Sequence, residues 1–238
     1  MATGFSGFPK QGFAFLKELA KNNNRDWFQP RKDTFEDTVK APMEALVEAM
    51  NAQLVKFAPS YVTDPNKAIY RIYRDTRFSK DKTPYKTHIA ASFFRSAAEK
   101  HTHPGYYFSV SPERIEVAGG LYLPGPDQLR AVREHLLEHH TELRKLLANP
   151  TLKKLMGGLS GDPLTRPPKG FPAAHPALDL IRYKGWILYD TRMDPQMAAT
   201  GRLLPELVKR FQAMAPLIDF LNRPLNVKKQ RDPLTVGL

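Results

Sequence analysis

With 238 residues, 42% hydrophobic and 25% charged, the chain is long enough for one substantial core or two small ones and has the ordinary composition of a soluble protein, one domain being the simpler reading. The absence of Cys excludes disulfides, thiolate metal ligands and a Cys nucleophile. No apolar run approaches the roughly 20 residues that span a bilayer, and the start has no charged region followed by an apolar one, so a cytoplasmic protein without membrane contact is expected. The formal charge is +12, of which residues 223–238 supply only +3, so the basic character belongs to the body and favours polyanionic partners.

In chain order, Phe13, Leu16 and Leu19 after Pro9 predict a first helix. Asn22 to Trp27 reads as a capping turn ending in a core indole. The repeat Phe28, Phe35, Val39, Met43, Leu46, Val47, Met50, Leu54 and Phe57 predicts a long amphipathic helix bent near Pro42. From Ala68 the period changes to two. Strands are expected over Ile69–Asp75, His88–Phe94, Tyr106–Val110 and Arg114–Ala118, the last two joined by a turn at Ser111-Pro112-Glu113-Arg114. Gly119-Gly120 reads as the end of that pattern, and Tyr122 to Pro126 as a rigid turn.

Asp127 is the expected N-cap of a helix to Ala148 with Leu129, Val132, Leu136, Leu143 and Leu147 on one face. Asn149-Pro150 opens a short successor that Gly157-Gly158 closes. Residues 160–176 form a proline-rich loop long enough for a lid or binding loop. A helical turn and a strand around Trp186-Ile187-Leu188-Tyr189 follow, and Asp194-Pro195 opens a last helix with a broad apolar face. The prediction is one α+β domain, residues 8–222, with a mainly antiparallel sheet packed by long helices and a basic, mobile tail over 223–238.

Chemistry concentrates in Tyr70 to His88, where six Lys or Arg, four aromatic rings and one His fall within nineteen residues beside only Asp75 and Asp81. Guanidinium and ammonium groups grip phosphate or carboxylate, and rings stack or hydrogen-bond. Arg71, Tyr73, Arg74, Arg77, Lys82, Tyr85, Lys86 and His88 are therefore candidate ligand contacts, together with Tyr122 and Lys169. Strand alternation puts Tyr70, Ile72 and Arg74 on one side and Ile69, Arg71, Tyr73 and Asp75 on the other. The arginines could instead pair with acids such as Glu36 or Asp179. His175 and Asp179, four apart beside the Lys169 loop, are the candidate catalytic acid–base pair.

His135-Leu136-Leu137-Glu138-His139 has the order of an inverted zinc-peptidase motif, but its polar groups lie on a flank where a solvated face is expected. His101-Thr102-His103 reads as a solvated loop. No metal and no cofactor are expected, and no Walker, Rossmann or nucleophile-elbow pattern occurs.

The motifs Asn23-Asn24-Arg25-Asp26-Trp27-Phe28, Tyr70 to His88, Gly119-Gly120-Leu121-Tyr122-Leu123-Pro124, Pro168-Lys169-Gly170-Phe171, His175-Pro176 and Asp179-Leu180 occur in an order that resembles the bacterial and fungal family named domain of unknown function 2461. The resemblance covers about residues 8–222. It implies a single α+β domain and carries no established activity. The expected function is binding of a phosphate-containing anionic ligand, nucleic acid or nucleotide, in a basic tyrosine-rich pocket. The alternatives are a hydrolase of a phosphorylated small molecule using that pocket, and a non-enzymatic module for an acidic protein partner.

Overall fold

The computed structural model describes residues 5–95 and 102–225. Helix α1 (Lys10–Lys21) buries Phe15, Leu16 and Leu19 as its periodicity requires. The expected single helix from Phe28 to Phe57 is instead a relay: α2 (Arg25–Phe28), a 3-10 turn, α3 (Lys32–Phe35), a π turn over Glu36–Lys40, and α4 (Ala41–Phe57). Its apolar positions Phe28, Phe35, Val39, Met43 and Leu46 are all buried, so the pattern was sound and the continuity was not. The irregular turns lie at the prolines. Pro30 lies in the 3-10 turn and Pro42 is the second residue after the π turn, and neither has an N–H for the helical ladder.

After α5 (Pro65–Ala68) come β1 (Ile89–Phe93), β2 (Gly105–Val110), β3 (Ile115–Leu121), α6 (Pro126–Ala148), α7 (Pro150–Met156), α8 (Leu178–Ile181), β4 (Trp186–Asp190) and α9 (Leu203–Asn222). The four strands pair antiparallel in the order β1-β2-β3-β4, giving the expected α+β fold. Ser111 N–H donates to Arg114 C=O at 2.9 Å and closes the β2–β3 turn. Asn149 caps α7 through Leu152 N–H, whereas α6 begins at Pro126 with Asp127 inside its first turn. Asp194-Pro195 opens a 3-10 turn, and α9 begins only at Leu203. No helix among the described residues is long and apolar enough to cross a membrane.

Gly119-Gly120 continues β3 rather than ending it. A Cβ on Gly119 would lie 2.7 Å from Met214 Sδ, and one on Gly120 would lie 2.1 Å from Trp186 C=O. Gly120 also has φ +118°, a conformation L side chains rarely adopt. The pair lets α9 and β4 approach β3 at van der Waals distance.

One sheet face is roofed by α9. Phe211 stacks on Tyr106 at 4.6 Å and meets Phe93 edge-on at 5.8 Å, and Phe108, Val117 and Leu188 are fully buried in the same core. At the end of β4 the fully buried Asp190 carboxylate accepts from Arg210 Nε at 3.1 Å and from Arg192. The buried Arg133 of α6 donates to the carbonyls of Ile181 and Tyr183, tying α8 and the chain that follows it to the bundle.

The start of the 160–176 loop, with Leu159 before it, covers a strand edge. Leu159 bridges Leu188, Ser160 N–H donates to Ile187 C=O at 2.9 Å, and Pro163 bridges Tyr183, so the outer edge of β4 is occupied.

A tyrosine-walled basin and its basic neighbour

The other sheet face is built differently. Alternation turns Ala90 and Ser92 of β1, Tyr107 and Ser109 of β2, Glu116 and Ala118 of β3, and Ile187 and Tyr189 of β4 away from α9. The register sets Ser92, Tyr107, Ala118 and Tyr189 in one row across all four strands. Small residues make a hollow floor, and longer ones raise its walls. The result is a cavity of about 520 Å3 with Tyr70, Tyr107, Tyr122 and Tyr189 among its lining, Ser92, Ala118 and Gly120 at its base, and, among the described residues, Glu116 and His103 as its ionisable groups besides the tyrosines. That volume is in the range of small-molecule sites.

Glu116 is held from several sides. Ser109 Oγ donates to one carboxylate oxygen at 2.7 Å, Tyr189 Oη donates to the other at 2.7 Å, and Arg114 Nε pairs with it at 2.9 Å. Burial works to raise the Glu116 pKa, but these hydrogen bonds and the Arg114 charge outweigh it and the net direction is down. Burial pushes Tyr107 up to about 12, and burial with the bond to Glu116 does the same to Tyr189. Tyr70 is also raised by burial, with Ser92 pulling the other way. At neutral pH the basin therefore offers an ionised acceptor and protonated phenols. A second, smaller basin of about 240 Å3 shares Glu116 and Ser109 and includes His88 and Arg114. His88 is lowered by burial, against the pull of Glu116, and is neutral at pH 7.

The Tyr70–His88 segment borders this site without filling it. Its first arm is not the strand expected over Ile69–Asp75. Ile69 bridges Ala91 and Tyr73 bridges Tyr85, and between them Ile69 and Ile72 face the core while Tyr70 lines the basin, so alternation slips by one across Arg71. The result is a hairpin beside β1, with its tip over residues 75–83. Asn23 clamps it by donating to Tyr85 C=O at 2.9 Å and accepting from Tyr85 N–H at 3.0 Å, which unites two motifs far apart in sequence.

Most of the candidate cations are engaged inside this hairpin. Arg74 bonds Asp81 and Thr83, Arg77 forks onto Asp75 at 2.8 and 3.0 Å, and Lys82 donates to Thr76 C=O. Lys86 donates to Arg71 C=O and sits 5.3 Å from the centroid of the Tyr70 ring. Arg71 is exposed. Tyr85 is a core residue, 1% exposed and stacked on Phe28 at 4.1 Å, rather than a ligand contact. Tyr73 is 44% exposed at the hairpin, and Tyr122 and His88 line the two basins. The acids Glu36 and Asp179 pair with Lys40 and Arg144, not with these arginines.

The His175–Asp179 pair is not assembled. Asp179 takes both bonds of a fork from Arg144 at 2.6 and 3.0 Å, which lowers its pKa, and His175 Nδ1 accepts from Ala177 N–H at 3.1 Å. Lys169 is exposed in the outer turn of its loop and is not part of either lining, whereas Ser160 from the same loop is. His135 packs on Phe220 at 4.9 Å and on His139 at 4.3 Å and is half-buried, while Glu138 on the same flank is exposed. Among the described residues no group of three metal-binding side chains is gathered. His103 lines the main basin, contrary to a solvated loop, and His101 and residues 226–238 of the tail lie outside the described residues.

Sequence reading missed Glu116, Ser92, Tyr107 and Tyr189. Their signal was present as alternate positions on four strands, but they are scattered along the chain and only the sheet register joins them. Comparisons with curated proteins and with solved structures return no match. A family profile described as "Conserved hypothetical protein (DUF2461)" matches residues 11–220, and the chain belongs to that family.

Proposed function

We propose that this protein binds a small ligand with a flat ring and hydroxyl or amino donors, a nucleoside or nucleotide, in the tyrosine-walled basin. The observation that supports it is the row Ser92, Tyr107, Ala118 and Tyr189, which makes a hollow between rings on a sheet face that α9 does not cover. Tyrosine rings stack on a base or sugar, and Glu116 accepts from hydroxyl or amino groups. A phosphate on the ligand would be met at the walls, where Lys86 lies over Tyr70 and Arg114 pairs with Glu116. A volume of about 520 Å3 favours one nucleotide over a strand at this position.

Hydrolysis by this site has less support. A carboxylate held below its ordinary range is a weak base, and phenols raised to about 12 are weak acids. Binding in the cytoplasm, without a bound cofactor, is the reading we adopt.

Calorimetric titration with adenosine and adenosine 5′-monophosphate tests it. Saturable binding is expected for the intact protein. Ala118→Leu should fill the floor and abolish that binding while shifting the melting temperature by no more than about 2–4 °C. Absence of binding by both probes, or binding that survives Ala118→Leu, would overturn the assignment.

A further inference from the structure

We infer a second site, independent of the basin: the tip of the Tyr70–His88 hairpin and the adjoining α2 form a contact surface for single-stranded nucleic acid. Phe78 is 96% exposed at the tip, far beyond what packing would leave a phenyl ring. It is flanked by Arg77, whose guanidinium lies 5.8 Å from the ring centroid, and by the exposed Lys80. Tyr73, 44% exposed, stands on the same hairpin and packs on Phe28 of α2 at 6.5 Å. Beyond Phe28 on α2, Arg31 lies 4.7 Å over the half-buried Trp27 ring, and Arg25 is exposed. The Asn23–Tyr85 bonds lock these two segments together, so the rings and cations of both are held on one rigid body.

The arrangement selects its occupant. Bases stack on exposed rings whatever their sequence, while cations spaced between the rings follow phosphates. The internal pairs of Arg74 and Arg77 with Asp81 and Asp75 hold the tip in shape, and six cations against two acids leave the hairpin with a net +4 for the backbone of a strand. An anionic bilayer would call for a contiguous apolar wedge, whereas these rings are dispersed among charges. A duplex hides the base faces that the rings would contact.

Fluorescence anisotropy of the intact protein with labelled oligothymidylate, oligouridylate and a duplex of the same length provides the test. Both single strands are expected to bind more tightly than the duplex, with log affinity falling by roughly 0.7 per phosphate contact as log salt rises. A preference between the two single strands would report a contact to the sugar or base, within the same assignment. Phe78→Ala should weaken binding about tenfold without changing that slope. Arg25→Gln with Lys80→Gln should make the slope shallower by about 1.4. Ala118→Leu should leave oligonucleotide binding intact, which separates failure here from failure of the basin. Equal affinity for duplex and single strands, indifference to Phe78→Ala, or binding to anionic phosphatidylserine vesicles but to no oligonucleotide would overturn the proposal.

Discussion

The two faces of the sheet come from the same strands, residue by residue, and serve opposite ends. On the α9 side, Phe93, Tyr106, Phe108, Val117 and Leu188 fill space around Phe211 and Met214. On the other side, Ser92 and Ala118 leave space, and Tyr107, Tyr189 and Glu116 line it with polar atoms. Period-two alternation thus separates stability from recognition within one set of strands. A sheet face need not be charged to face water; it can be hollowed.

The separation can be broken most severely from the roofed side. Phe211→Ala should cost about 3–5 kcal/mol, because a fully buried ring leaves a cavity that its neighbours fill only partly. At this chain length that corresponds to a melting temperature lower by roughly 6–20 °C, measurable by calorimetry. A loss as small as that of Ala118→Leu would mean that the two faces are not distinct in the way described.

Removing the clamp should have an intermediate effect. Asn23→Ala leaves the Tyr85 N–H and C=O without their side-chain partner in a partly buried place, at a cost of about 1–3 kcal/mol. The Tyr85 amide should then exchange with deuterium faster while amides of β2 keep their protection. Uniform acceleration across the sheet would place the hairpin inside the core's cooperative unit instead of beside it.

The smallest effect concerns pH on the hollow face. The Glu116 carboxyl sits below its ordinary 4.5, so its contribution is complete above that value and is lost as pH falls through the lowered folded pKa. His88 sits below its ordinary 6.5, so folding favours its neutral form, and that contribution is present above 6.5 and lost as pH falls through the folded value. Glu116→Gln should flatten the melting profile below about pH 4.5, and His88→Gln the part below about pH 6.5. Unaltered acid limbs in both variants would show that neither group is linked to folding.

Local signals carried much of the architecture. Pro9 with Phe13, Leu16 and Leu19 marked α1, the Ser111–Arg114 turn marked the β2–β3 hairpin, and Asn149-Pro150 marked α7, because each of these depends on neighbours in sequence. What depended on distant partners was read less well. Gly119-Gly120 resembles a break until Met214 and Trp186 are seen to need the space. The arm after Ile69 has a strand-like period, but the offset between its two bridges shifts Tyr70 to the basin and Ile72 to the core. The cation cluster drew attention because it is contiguous in sequence. Glu116, Tyr107 and Tyr189 went unread because each is ordinary by itself and only their juxtaposition is informative.

The position of α9 has a consequence for synthesis. It is the last long helix among the described residues, and it packs between the sheet and α4, α6 and α7. Chains emerge from the ribosome N-terminus first, at about 5–20 residues per second, so the strands wait, unroofed, for residues near 222 to appear. A chain that stops before Leu203 retains all four strands and lacks the roof. Such a chain exposes the apolar face that α9 covers, with Phe93, Tyr106, Phe108, Val117 and Leu188 on it, so this core closes only once α9 has been made.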